Sequence, residues 1–126
     1  MNAPDPMRVL IVDDNELASE LLSEFITLLG HRVSVAGSGE QAMEKSAQEN
    51  PDIVIVDIIL PDLDGYELAA RLRKQREAPP RIVALSGLPK SMQREQNGMF
   101  DAWLEKPVDL AVLENMLAQT AQKRSF

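Results

Sequence analysis

Short continuous apolar runs alternate along this chain with stretches in which apolar residues recur every three or four positions. Val9–Val12 (VLIV) and Ile53–Val56 (IVIV) have the unbroken apolar character of strands buried on both faces, and Ile82–Leu85 (IVAL) reads as a fourth strand of the same kind. Arg32–Ala36 (RVSVA) fits a second strand and Phe100–Leu104 (FDAWL) a fifth. After the first strand, Leu17, Leu21, Phe25 and Leu28 form a helical stripe with Leu22, Ile26 and Leu29 beside it, and Gly30 stands where a helix end takes a left-handed residue. Ser38 is placed to cap a helix over Gly39–Glu49, which Pro51 stops. Asp64 is placed to cap a helix over Gly65–Arg76, broken by Ala78-Pro79-Pro80. Asp109 is placed to cap a last helix carrying Leu110, Leu113 and Leu117, with Val112 and Met116 alongside. Residues 88–98 are polar and weakly patterned.

This order predicts an α/β fold, a doubly wound parallel sheet with helices on both faces. In such sheets, sites form at the carboxyl ends of the strands, near a topological switch point. The first apolar run ends in Asp13 and Asp14 and the third in Asp57. If those strands are neighbours, three carboxylates converge where the fold places chemistry.

Composition narrows the classes of function. The chain has 126 residues, enough for one domain with a real core, and is 44% hydrophobic and 26% charged. A net charge of −7 repels phosphate backbones, so no direct nucleic-acid binding is expected. There is no cysteine, hence no disulfide framework or thiolate metal site, which fits a cytoplasmic location. No apolar run approaches the roughly 18 residues that would span a bilayer, so no membrane association is expected. Residues 1–7 hold two prolines and no signal-peptide core and are expected to be a flexible N-terminus. The domain is expected over 8–121, followed by a flexible tail at 122–126.

Converging carboxylates repel one another and need a counter-charge. A hard divalent cation provides it, and Mg²⁺ favours carboxylate, water and phosphate oxygens. With no clustered His or Cys ligands, zinc is disfavoured. A simpler role for Asp13 and Asp14 is to cap the first helix at its positive end. Ser86-Gly87 after the fourth strand and Lys106-Pro107 after the fifth fall on the same rim, as a hydroxyl donor and a point charge.

These motifs, VLIVDD at 9–14, DIILPDLDG at 57–65, ALSG at 84–87 and LEKP at 104–107, resemble the receiver domain of two-component response regulators. The resemblance implies a flavodoxin-like (βα)5 fold with sheet order 2-1-3-4-5. It implies Asp57 as phosphoacceptor, with Mg²⁺ held directly by Asp14, mainly through water by Asp13, and by Asp57 and the Ile59 backbone carbonyl. Ser86 and Lys106 would bind the phosphoryl oxygens, Lys106–Pro107 would be cis, and Ser86 and Trp103 would act as the switch pair. The phosphodonor would be a histidine kinase or a histidine phosphotransfer protein, and an unknown downstream protein would read the outcome. The chain would not be an enzyme toward other substrates, catalysing only its own phosphorylation and dephosphorylation. Ile59 and Leu88 would flank the path of the hydrolysing water.

Some features depart from the family pattern. The segment between Ser86 and Lys106 is short for a receiver and Gly98 falls one position early, so a short, polar fourth helix is expected within Lys90–Asn97. The opening methionine and the five residues after Ala121 favour a stand-alone receiver, while GYELAARLR and FDAWLEKPVD resemble receivers of hybrid sensor kinases. The alternative function is a phosphorylation-independent interaction module of the same fold. A haloacid-dehalogenase-type phosphatase is disfavoured, because Ile59 stands where that family has its general acid.

Overall fold

The computed structural model describes residues 6–87 and 99–124. The elements are β1 (Arg8–Val12), α1 (Glu16–Leu28), β2 (Arg32–Ala36), α2 (Gly39–Glu49), β3 (Ile53–Asp57), α3 (Gly65–Gln75), β4 (Arg81–Ser86), β5 (Ala102–Glu105) and α4 (Leu110–Arg124). The five strands form one parallel sheet in the order β2-β1-β3-β4-β5, the predicted flavodoxin-like order. The helix expected within Lys90–Asn97 lies outside the described residues.

Alternation along the strands divides the core in two. On one face Val9, Ile11, Ile53, Ile55, Val83 and Leu85 pack under Leu22 and Ile26 of α1 and Leu113 and Leu117 of α4. On the other, Leu10, Val12, Val54, Val56 and Ile82 pack under Ala42 of α2 and Leu68 and Leu72 of α3. Burial on both faces explains why β1, β3 and β4 read as unbroken apolar runs. Capping follows the sequence: Ser38 accepts from Gln41 N–H, Asp64 from Tyr66 N–H and Asp109 from Ala111 N–H. Gly30 takes φ 98°, in the left-handed region.

The structure adds detail that the pattern left open, and it shifts the start of the fifth strand. The α1 stripe that meets the sheet is Leu22, Ile26 and Leu29 with Phe25, whereas Leu17, Leu21 and Leu28 are 68%, 60% and 85% exposed. Two apolar stripes lie side by side on this helix, and the buried one continues through Ser19, whose hydroxyl is satisfied by the Glu16 carbonyl at 3.1 Å. On the last helix Leu110 and Val112 are likewise exposed. The fifth strand starts at Ala102, because Phe100 packs among aromatic side chains and the Asp101 carboxylate accepts from Ile82 N–H and from Arg73. Regular structure among the described residues reaches past the expected bounds of 8 and 121. Met7 is fully buried, its N–H bonds to His31 Nδ1 and its carbonyl accepts from Arg32, while α4 runs to Arg124.

Candidate functional site

Because β1 and β3 pair in register, with Val12 opposite Val56, their carboxyl ends lie side by side. Asp13, Asp14 and Asp57 therefore meet, each offering an oxygen within 4.8 Å of the others. Asp13 and Asp57 are buried and Asp14 is exposed, so the cluster opens to solvent on one side. Helix capping does not account for these acids. Asn15 is the N-cap of α1, its side chain accepting from Ala18 N–H, and Asp13 Oδ1 accepts from Asn15 N–H at 2.9 Å.

Lys106 closes the cluster from β5. Its ammonium donates to Asp57 Oδ2 at 2.6 Å and stands 3.6 Å from Asp13 Oδ2. The other Asp57 oxygen accepts from Ile59 N–H at 2.9 Å. Burial alone would push the Lys106 ammonium down, but its hydrogen bond and attraction to Asp57, reinforced by Asp13, hold it above its ordinary value. Burial raises the Asp13 carboxyl, and the Asp57 charge adds to this against the opposing pull of Asn15 N–H and Lys106. Asp13 Oδ2 is buried and has no hydrogen-bond partner. A buried carboxylate oxygen in that state, facing two other acids, is a donor set for a hard cation. The residues present therefore fit Mg²⁺.

The neighbouring strands complete the rim. Asp57 pairs with Leu85, which places buried Ser86 one residue further along the adjacent strand. Ser86 in turn pairs with Glu105, and its carbonyl accepts from Lys106 N–H at 2.8 Å. The Lys106–Pro107 peptide is cis. Among the described residues, a Cβ at Gly87 would meet nothing within 4 Å. Gly65 is the opposite case. A Cβ there would come within 2.7 Å of Ile58 Cα and 2.8 Å of the Asp57 carbonyl oxygen, so only glycine lets α3 begin against the loop that follows Asp57. Ile59, 77% exposed, bridges to Asp64 across that loop.

Two features escaped the sequence reading. Trp103 packs in an aromatic trio, with its ring centroid 6.1 Å from Tyr66 and 5.2 Å from Phe100. Tyr66 follows Gly65 directly, so the trio touches the root of the Asp57 loop. Its only sequence signal was the adjacency of Tyr66 to the Asp-Gly turn. An apolar cleft of about 430 Å³ also runs from Asp13 and Lys106 between Leu21, Pro107 and Leu110. It exists because the α1 stripe is divided, which no period count reveals. Leu88, expected beside the water path, lies outside the described residues.

A five-stranded parallel sheet in this order, with an acid cluster at the carboxyl ends of β1 and β3 and a lysine reaching it from the end of β5, is the architecture of a flavodoxin-like fold with its site at the switch point. The sequence matches the response regulator receiver domain over residues 9–118, and the chain belongs to that family. It is 35% identical to the sensor protein EvgS of Escherichia coli over 122 residues, 94% of this chain and 10% of that protein. The chain spans 10–19% of the length of the curated sensor kinases it matches. Among solved structures, a CheY-like receiver domain from Methylobacillus flagellatus superposes with a TM-score of 0.85 at 33% identity, covering 92% of this chain and 99% of the other. The Saccharomyces cerevisiae Ssk1 receiver domain, co-crystallised with the histidine phosphotransfer protein Ypd1, shares the fold with a TM-score of 0.89 at 24% identity, covering 100% and 95%. Among the described residues, no helix is long and apolar enough to cross a membrane.

Proposed function

We propose that this receiver is a phosphoacceptor. Asp57 takes a phosphoryl group from a phosphohistidine on a histidine kinase or histidine phosphotransfer protein, and the change alters binding to a downstream protein in the cytoplasm. The observation that carries this reading is the meeting of Asp13, Asp14 and Asp57 with the Lys106 ammonium 2.6 Å from Asp57 Oδ2.

A carboxylate oxygen of Asp57 attacks phosphorus. The phosphorus–nitrogen bond to the donor imidazole breaks, its electron pair returns to the ring nitrogen, and Asp57 becomes an acyl phosphate. Phosphoryl transfer of this kind depends on positioning and on neutralising spread charge more than on covalent help. Asp13, Asp14, Asp57 and the Ile59 carbonyl would hold Mg²⁺, which supplies neutralisation of the phosphoryl oxygens. Lys106 moves from its carboxylate partner to a phosphoryl oxygen, and the Ser86 hydroxyl donates to another. Gly87, with no side chain beside Ser86, leaves room for the group. The apolar cleft lined by Asp13, Leu21, Lys106 and Leu110 is the docking face for the donor, because Lys106 at its edge is bonded to the reacting carboxylate.

Moving a two-state equilibrium from 1:99 to 99:1 takes about 5.5 kcal/mol. Charge-assisted hydrogen bonds from Ser86 and Lys106, at roughly 1.5–3 kcal/mol each, supply much of that. Trp103, held between Tyr66 and Phe100, is the side chain whose environment reports the shift. The chain acts on no other substrate.

The test is incubation with a small phosphodonor and Mg²⁺, read by intact mass. Wild type gains one phosphate, and Asp57→Asn gains none while staying folded. Uptake by Asp57→Asn at the wild-type rate would move the acceptor elsewhere. An unchanged wild-type mass would mean an inert interaction module, and continuous donor turnover without an adduct a phosphatase.

A further inference from the structure

The loop between β3 and α3 is tied down at both sides. At its root, Gly65 N–H donates to the Ile58 carbonyl at 2.9 Å and Tyr66 N–H to Asp64 Oδ1 at 2.7 Å. At its crown, Asp62 reaches across to a different helix. Asp62 Oδ1 accepts from Gly39 N–H at 2.8 Å and Oδ2 from Glu40 N–H at 2.9 Å. A helix start leaves its first N–H groups without intrahelical partners. Ser38 accepts from Gln41 N–H, and Asp62 takes the Gly39 and Glu40 donors of the same turn. These two bonds hold the Asp62 carboxyl below its ordinary value. Leu63 completes the junction. A Cβ at Gly39 would come within 2.6 Å of Leu63 Cγ, so α2 begins with glycine where the leucine lies against it. Asp62 itself is exposed and contributes nothing to the core, so its bidentate hold on α2 is its contribution to the fold.

We propose that Asp62 is a positioning residue for the cation site, a role that rests on the phosphoacceptor function proposed above. Its two bonds fix the crown of the loop to α2. The segment from Ile58 to Asp64 is then held at two points, and the Ile59 carbonyl has one setting relative to Asp13, Asp14 and Asp57. Release of the crown leaves the root intact but frees Ile59 to move with the loop. Outer groups that orient the ligands of a metal change its affinity without touching it.

The experiment is a Mg²⁺ titration of the full chain followed by Trp103 fluorescence, with thermal melts and amide NMR on the same samples. Asp62→Ala is expected to weaken Mg²⁺ binding about tenfold, at the lower end of what outer-shell changes cost, with loss of the wild-type Gly39 and Glu40 amide positions. Asp62→Asn keeps one carbonyl oxygen as acceptor and is expected to fall between wild type and Asp62→Ala. Gly39→Ala, which displaces Leu63 from the other side of the junction, is expected to weaken binding in the same direction. Glu40→Gln removes a charge from the same helix turn without touching the loop and is expected to leave affinity within about twofold of wild type. Equal weakening by Glu40→Gln would replace positioning with simple charge and overturn the proposal. So would a wild-type titration curve for Asp62→Ala whose Gly39 and Glu40 amides have shifted, even if its melting point falls. Absence of Mg²⁺ binding in wild type would instead sink the phosphoacceptor reading itself, and the positioning role with it.

Discussion

Acids terminate the sheet at both ends, and they are held in opposite ways. At the amino end of the strands, Asp52 and Asp101 bond into the backbone. Asp52 Oδ2 accepts from Arg8 N–H at 2.9 Å while Asp52 N–H donates back to the Arg8 carbonyl. Asp101 Oδ2 accepts from Ile82 N–H at 2.7 Å, and Arg73 donates to the same carboxylate at 3.1 Å. At the carboxyl end, Asp13 and Asp57 face each other across one shared ammonium, and a buried oxygen of Asp13 has no hydrogen bond. The first arrangement extends the ladder by satisfying strand donors. The second leaves charge that the protein alone does not balance, which is a liability for folding and the arrangement that the proposed cation and phosphoryl group would neutralise. Asp62 sharpens the contrast. It lies on the loop that follows Asp57 yet belongs with the backbone-bonded acids, and its carboxyl is lowered where that of Asp13 is raised.

The largest effect expected from this contrast is a difference in sign between substitutions at the two ends. Asp101→Ala removes the acceptor of the buried Ile82 N–H and the partner of Arg73, and should lower stability by about 1–3 kcal/mol in urea unfolding. Asp57→Asn is nearly isosteric and relieves like-charge repulsion, so stability should hold or rise. Equal losses in the two variants would erase the distinction between the ends.

A smaller effect lies in the acid limb. Both carboxyls start from an ordinary value of 3.8. Asp62 has a folded pKa below it, so its contribution is present above pH 3.8 and is lost as pH falls through the folded value. Asp13 has a folded pKa above it, so its ionised form is penalised by folding. That penalty is absent below pH 3.8 and grows as pH rises through the folded value. Carboxyl-detected NMR titration of the Mg²⁺-free protein should place Asp13 above 3.8 and Asp62 below it. The reverse order would break the comparison.

The smallest effect concerns the lifetime of the phosphate at the open side of the cluster. Ile59 is exposed at the rim and has no polar atom on its side chain to orient a water. Ile59→Asn should speed loss of phosphate from the phosphorylated protein in Mg²⁺ buffer, followed by intact mass over time. Unchanged decay would remove Ile59 from the water path.

The sequence by itself determined the strands, most of the caps and the rim. Two-sided burial writes itself as unbroken apolar runs, and the acids after VLIV and IVIV, with Ser86 and Lys106, mark the carboxyl ends of the strands in the sequence itself. Capping was legible at Ser38, Asp64 and Asp109 because it is a local contact. Asn15 escaped notice because two acids stood directly before it. The tertiary structure alone decided the rest. A period of 3.6 allowed either of two leucine stripes on α1, and only the sheet chose the one through Leu22 and Ile26, leaving Leu17 and Leu21 exposed beside the site. Asp62 carries no signal of its role in the sequence, because its partners, the amides of Gly39 and Glu40, lie more than twenty residues away in the chain. The aromatic trio of Tyr66, Phe100 and Trp103 and the buried oxygen of Asp13 arise in the same way. Local contacts leave periodic or adjacent signals in a sequence. Contacts between distant segments leave none until the fold closes the distance.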